Sequence, residues 1–371
     1  MKAVRERLQK SLTISVSYNQ QQHARRTIRA LSQQDFEKTY LLEGTVMEST
    51  NTGMEVRFAT RRSDGKKCVI KSREKRLSFK GSAREERDWR ATTEIQLNMP
   101  KVDTICELID CIETPDFYFV VMEKVEGLDL FEQCSKEKLR PVDAREVLRQ
   151  VLQALQVMHG SGRIHKDLKL ENVMVDLSPK TTSPLTARSH LSSPSRSPAT
   201  SKIIDFDTVQ DWEPSSPKSK DVLGTDGYIA PEAYDGEYSP ASDIFGVGVM
   251  MYKLLTYKFP YRPDIFDDRP GENYVGSPAM KRIRGRLEQE KIDFNKAPLN
   301  RMPEATSLLI RMLALNPADR PSARDALAHQ WFKLRDDELD SGRTMGLPSS
   351  PGGKRVGDLH LPRLVAPQSV V

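Results

Sequence analysis

From about Leu41 to Lys71 apolar and polar residues alternate, as in Met54-Glu55-Val56-Arg57-Phe58 and Cys68-Val69-Ile70-Lys71. A period of two marks a strand with one face buried, and the Ser63-Asp64-Gly65 turn between the two runs predicts a hairpin. Residues 83–98 read as a charged helix, and strand-like runs follow at 105–113 and 117–122. Beyond about Asp129 the period changes. Over 142–159, Val147, Val151, Leu152, Leu155, Val157 and Met158 recur at helical spacing before Gly160 stops the run. Further helices are expected at 242–255, 305–315 and near 323–331. A strand-rich first part followed by a helical second part predicts a two-lobed α+β architecture.

Three stretches fall outside this pattern. Residues 1–35 are polar, Gln-rich and basic, and read as a disordered extension in which 24–31 has the makings of a short amphipathic helix. An acid-poor organelle transit peptide and a helix for a membrane surface or regulatory partner are the other readings of this segment. Residues 177–201 hold eight Ser, four Thr and four Pro, too polar to bury anything, and read as an inserted loop. Its four Ser-Pro steps, at Ser178, Ser183, Ser193 and Ser197, are candidate phosphorylation sites. Residues 333–371 read as a disordered tail.

Charge sharpens this division. The chain carries +5 overall, but 1–34, 177–201 and 341–371 together carry +12, leaving −7 on the remainder. The folded part is therefore mildly acidic, and a nucleic-acid-binding core is not expected. No apolar run approaches the ~18–20 residues of a membrane span. The four cysteines (Cys68, Cys106, Cys111, Cys134) form no CxxC pair and read as reduced, mostly buried thiols. These features point to a cytoplasmic protein, with a nuclear location compatible.

Chemistry concentrates in three ordered stretches. Ile164-His165-Lys166-Asp167-Leu168-Lys169-Leu170-Glu171-Asn172-Val173 holds polar groups between apolar residues. Ile203-Ile204-Asp205-Phe206-Asp207 follows, then Gly224-Thr225-Asp226-Gly227-Tyr228-Ile229-Ala230-Pro231-Glu232. This set resembles the catalytic loop, metal-binding motif and activation-segment end of the eukaryotic protein kinases, over about 36–332. The resemblance implies a bilobed fold, with a β-rich N-terminal lobe over about 36–122 and a mainly helical C-terminal lobe over about 126–332. Lys169 and Thr225 look like the serine/threonine branch, and the C-terminal half is closest in look to the calcium/calmodulin-dependent type. No EF-hand loop or calmodulin-target helix follows, so calcium control within this chain is not expected.

The resemblance implies ATP- and Mg-dependent phosphate transfer to serine or threonine hydroxyls of protein substrates, a reaction carried mostly by positioning and charge stabilisation. Asp167 matches the carboxylate that orients the acceptor hydroxyl, and Lys169 the lysine that neutralises the γ-phosphate. Asn172 and Asp205 match the two magnesium ligands. Val69-Ile70-Lys71 matches the strand whose lysine grips the α/β-phosphates. Glu94 is the best-placed ion-pair partner for it, with Glu85 and Glu86 as weaker options. Val56 and Val69 would cover the adenine, and Met122 would guard the back of its pocket. The backbone of Glu123 and Val125 would bind it, Asp129 would contact the ribose, and Met174 and Glu171 complete the nucleotide-binding set. Asp243 matches the aspartate that braces the catalytic loop, and Arg320 the partner of Glu232.

Three departures from the family pattern stand out. The glycine-loop positions are Ser49, Asn51 and Met54, with Gly53 a candidate for a shifted loop. Asp207 replaces the glycine after Asp205-Phe206. Lys166 replaces the arginine before Asp167 and loses its bidentate fork, which lowers the expected dependence on phosphorylation at Ser215, Ser216 or Ser219. A pseudokinase, serving as a nucleotide-binding or scaffolding module, is the alternative reading.

Overall fold

The computed structural model describes residues 25–47, 52–178 and 199–339. The N-terminal lobe is built from β1 (Arg29–Ala30), α1 (Gln33–Thr39), β2 (Tyr40–Met47), β3 (Met54–Arg61), β4 (Lys67–Glu74), α2 (Lys75–Phe79), α3 (Ala83–Leu97), β5 (Leu108–Glu113) and β6 (Phe117–Glu123). Its six strands form one sheet in the order β1-β5-β6-β4-β3-β2. The predicted hairpin is β3–β4, antiparallel from Met54↔Arg73 to Thr60↔Lys67, and Gly65 takes the positive φ of 69° that its turn requires. The charged helix is α3, capped by the Ser82 hydroxyl on the Glu85 amide.

The C-terminal lobe follows with β7 (Leu128–Asp129), α4 (Leu130–Lys136), α5 (Pro141–Gly160), β8 (Arg163–Ile164), β9 (Val173–Asp176), β10 (Thr200–Ile203) and β11 (Gln210–Asp211). After these come α6 (Pro240–Thr256), α7 (Pro278–Gln289), α8 (Pro303–Met312) and α9 (Ala323–Leu327). Helices α5 to α8 each open on a proline, which gives up no helical hydrogen bond there. Val147, Val151, Leu152, Leu155 and Met158 of α5 are buried in one core with Ile244, Val247 and Met251 of α6. The expected helix over 323–331 divides into α9 and a 3-10 turn, Gln330–Lys333, where the His329 ring caps the Trp331 amide. Among the described residues, no helix is long and apolar enough to cross a membrane.

Three boundaries differ from expectation. The basic segment before residue 32 forms an edge strand and strap instead of an amphipathic helix. β1 pairs in parallel with β5 (Arg29↔Ile112), and Ile28 is buried with Phe79, Leu97 and Tyr118. The Arg26 guanidinium donates to the carbonyls of Leu97 (3.0 Å), Leu108 (3.1 Å) and Ile109, while its backbone exchanges two bonds with the Asn98 amide. The end of α3 and the free edge of β5 both leave backbone groups unmet, and this strap satisfies them. Next, residues 199–201 belong to the fold. Gln150 on α5 bonds the Ala199 carbonyl and the Ser201 amide, anchoring β10, which pairs with β9. Finally, the C-terminal lobe runs on to Leu339, which is buried, and Arg145 ties down Asp336 at 2.5 Å. Ser183, Ser193, Ser197, Ser49 and Asn51 lie outside the described residues.

Candidate active site

The loop between β8 and β9 is held by one buried carboxylate. Asp243, in the first turns of α6, accepts the backbone amides of His165 and Lys166 at 2.9 Å each and the His159 ring at 2.8 Å. Burial opposes its charge, but His159 outweighs that and keeps its pKa lowered. Lys166 adopts φ of 72°, uncommon for a residue with a Cβ, and this bend sends Asp167 into the cleft.

Asp167, Lys169 and Thr225 form a closed triangle. The Thr225 hydroxyl donates to Asp167 Oδ1 (2.8 Å), Lys169 Nζ donates to the Thr225 Oγ1 (2.9 Å), and Lys169 Nζ sits 3.1 Å from Asp167 Oδ2. Asn172 Nδ2 donates to the Asp167 carbonyl at 2.8 Å, joining a third predicted site residue to the group. Asp205 is brought alongside because the Ile204 amide bonds the Asn172 carbonyl. Thr225 enters as a site group beyond its use as a branch marker. Its hydroxyl comes from 58 positions away, a contact that no local spacing reveals.

Lys71 lies across the cleft. Its Nζ donates to Asp205 Oδ1 (3.0 Å) and Asp207 Oδ2 (2.8 Å), and its side chain is 17% exposed. Burial opposes its charge, yet the two carboxylates outweigh it and hold the ammonium above its usual range. Lys71 in turn holds the Asp205 carboxyl low against the same opposition.

Glu94 is corrected: it forms no ion pair with Lys71. Helix α3 turns Thr93, Gln96 and Leu97 inward, and Gln96 lines the cavity of about 20 Å³ beside Lys71. Consecutive helical residues differ by about 100°. Counting between motifs therefore places the helix but not its phase. Glu86 is also engaged elsewhere, accepting from the Tyr118 hydroxyl at 2.5 Å.

The adenine side follows strand register. Val56 stands opposite Lys71, and Val69 opposite Met122, so all four share one face of the sheet. Met122 lines the Lys71 cavity with Cys106, Leu108, Val120 and Phe206. Glu123 turns its carboxylate away onto Lys202 (2.7 Å) and the Glu107 amide (2.7 Å), while its own amide donates to the Glu107 carbonyl (3.0 Å). Val125 packs on the C-terminal core. Met174 pairs with Asp129 between β9 and β7, and Asp129 Oδ1 caps α4 by accepting from the Glu132 amide (2.7 Å). Glu171 keeps one buried carboxylate oxygen without a hydrogen-bond partner, close enough to Lys253 to be felt by that ammonium.

Gly53 is explained by packing. A Cβ there would meet the Leu77 Cβ at 2.7 Å, and φ is +76°. Lys166 donates to Gln210 (3.0 Å) and lies 4.9 Å from the Tyr238 ring centre, and burial pushes it down to about 8 against Asp243. The predicted Glu232–Arg320 pair is bidentate, at 2.7 and 2.8 Å. All four cysteines are free thiols.

If magnesium binds here, Asp205 and Asn172 would offer it one carboxylate and one amide oxygen. Among the described residues no cluster of three or more His, Cys, Asp or Glu forms a cage. A sparse oxygen set fits an ion that keeps waters and shares phosphate oxygens.

These groups gather in the cleft between the two lobes. Residues 52–332 match the protein kinase domain family, and the chain belongs to it. It is 31% identical over 232 residues, 62% of this chain and 38% of the relative, to calcium-dependent protein kinase 4 of Plasmodium berghei (strain Anka). It is 31% identical over 237 residues to probable serine/threonine-protein kinase 2 of Plasmodium falciparum (isolate K1 / Thailand), covering 62% and 40%. With the human hormonally up-regulated neu tumor-associated kinase the identity is 28% over 275 residues, covering 72% and 33%. The chain thus spans 33–40% of the length of these relatives.

Proposed function

We propose that the protein transfers the γ-phosphate of ATP, with Mg²⁺, to serine or threonine hydroxyls of protein substrates. The observation that carries this is the Asp167–Lys169–Thr225 triangle set beside Asn172 and Asp205. Asp167 orients the acceptor hydroxyl and takes its proton as the new O–P bond forms, while Lys169 neutralises charge on the transferred group. Lys71 holds the other phosphates. Bound magnesium, on Asn172 and Asp205, would neutralise charge on the phosphate oxygens.

Substrate preference is expected to lean only mildly toward an arginine three residues before the target. Asp129 and Glu171 favour a cation, but Asp129 is committed to its helix cap, and Lys253 works against a second positive charge. Lys253 sits 3.9 Å from the Phe259 ring centre and 5.5 Å from that of Phe131, within electrostatic reach of Glu171.

The alternative, a nucleotide-binding module without turnover, draws on the altered glycine loop and on Asp207. Transfer of labelled phosphate to a basic peptide, compared between wild type and Asp167→Asn, separates the two. Transfer lost in the variant supports the kinase reading; ATP binding without transfer in either protein supports the module.

A further inference from the structure

We propose that Asp207, in place of an acid on helix α3, is the carboxylate that positions Lys71. This rests on the ATP-dependent reading above. The charge that balances Lys71 has moved from the helix to the loop after Phe206, and the two changes are complementary. Helix α3 contributes the neutral Gln96 to the lining of the Lys71 cavity. Its carboxylates stay away: Glu86 is held by Tyr118, and Glu94 forms no ion pair with Lys71. Asp207, at a position where the resemblance expects glycine, places Oδ2 2.8 Å from Nζ.

The exposures assign the roles. Lys71 is the enclosed member of the trio at 17%, with Asp205 at 40% and Asp207 at 35%. An enclosed ammonium needs a counter-charge that stays with it. Asp205 is also the carboxylate offered to magnesium, so its charge would be shared when the metal binds. Asp207 is then the acid left to Lys71. The consequence is a lysine whose position is set by the loop after Phe206 and does not wait on the rotation of α3. Asp207 is a positioning residue, since it acts through Lys71.

The test uses the full chain and four proteins: wild type, Asp207→Asn, Gln96→Glu, and the double variant. Retained ATP binding and melting behaviour establish that each is folded. Asp207→Asn is expected to lower kcat by about tenfold or more with little rise in KM for ATP, because placement is lost while attraction is not. In the Asp207→Asn background, Gln96→Glu returns a carboxylate to the cavity from the helix side and is expected to restore most of that rate. Without metal, in chelator, Asp207→Asn is expected to bind ATP about twofold to tenfold more tightly, because the acid facing the phosphates is gone and Lys71 is freer.

A kcat for Asp207→Asn within about twofold of wild type overturns the proposal, as does a folded double variant with no recovery. A wild type that transfers no phosphate overturns the activity reading instead. The metal-free affinity then decides for Asp207, and an unchanged value counts against it.

Discussion

Lys166 is where a one-residue departure from the family pattern is expected to change regulation. Enclosed against Tyr238 and Gln210, it is pushed down to about 8, so the cation is turned inward and poorly placed to clamp a phosphate from the neighbouring loop. The loop hydroxyls are already engaged: Ser215 with Glu213, Ser216 with the Glu213 amide, and Ser219 with the Asp221 carbonyl. Replacing all three serines by alanine should leave the transfer rate within about twofold, and a loss of tenfold or more would refute this. Asp226 offers a pH test. Burial, reinforced by Asp268, pushes its carboxyl up to about 6 from 3.8. A raised acid stabilises the fold fully below pH 3.8 and loses that contribution as pH climbs through 6. Asp226→Asn should therefore raise stability at pH 7 by on the order of 2 kcal/mol, with the gain vanishing near pH 4. Equal effects at both pH values in a melting series would contradict the assignment.

At the scale of elements, helix α3 shows what a sequence reveals and what it withholds. Its span was legible from a Ser cap and a run of charged residues, and the strands around it from their alternation. Its phase was not, because few apolar residues mark its inner face, so counting pointed to Glu94, whereas Lys71 pairs with Asp205 and Asp207. The strap before α1 was equally hidden. Residues 24–31, basic with Ile28 and Leu31 among them, read as a short amphipathic helix until the carbonyls of α3 and β5 supply a reason for Arg26 to dock. Arg26→Ala leaves those carbonyls without their charged donor. Stability should fall by about 1–3 kcal/mol, and amide exchange should quicken in β5 and the last turn of α3. Protection unchanged at both places would show the strap to be ornamental to the lobe.

For the whole molecule, the two lobes and the cleft could be read because the candidate site residues lie on short loops at fixed spacing. Asp167, Lys169 and Asn172 fall within six residues, and Asp205 follows after one hairpin. What joins them across distance, Thr225 to Asp167 or Asp207 to Lys71, depends on packing that no local spacing records. The C-terminal lobe is locked by the Arg320–Glu232 pair, buried with the guanidinium side chain at 0% exposure and backed by Ser242 and three backbone carbonyls. Arg320→Met leaves Glu232 buried without its partner and should cost about 3–5 kcal/mol, read from chemical denaturation. A change below 1 kcal/mol would mean the pair is dispensable.

In the proposed reaction, phosphate transfer to a hydroxyl hinges on Asp167. Its most direct test is single-turnover transfer from labelled ATP and magnesium to a serine peptide, with wild type beside Asp167→Asn at matched ATP occupancy. Transfer by wild type is expected, with a loss of at least about a hundredfold in the variant while ATP stays bound. Equal rates in the two proteins, or no transfer by wild type with ATP bound, would contradict it.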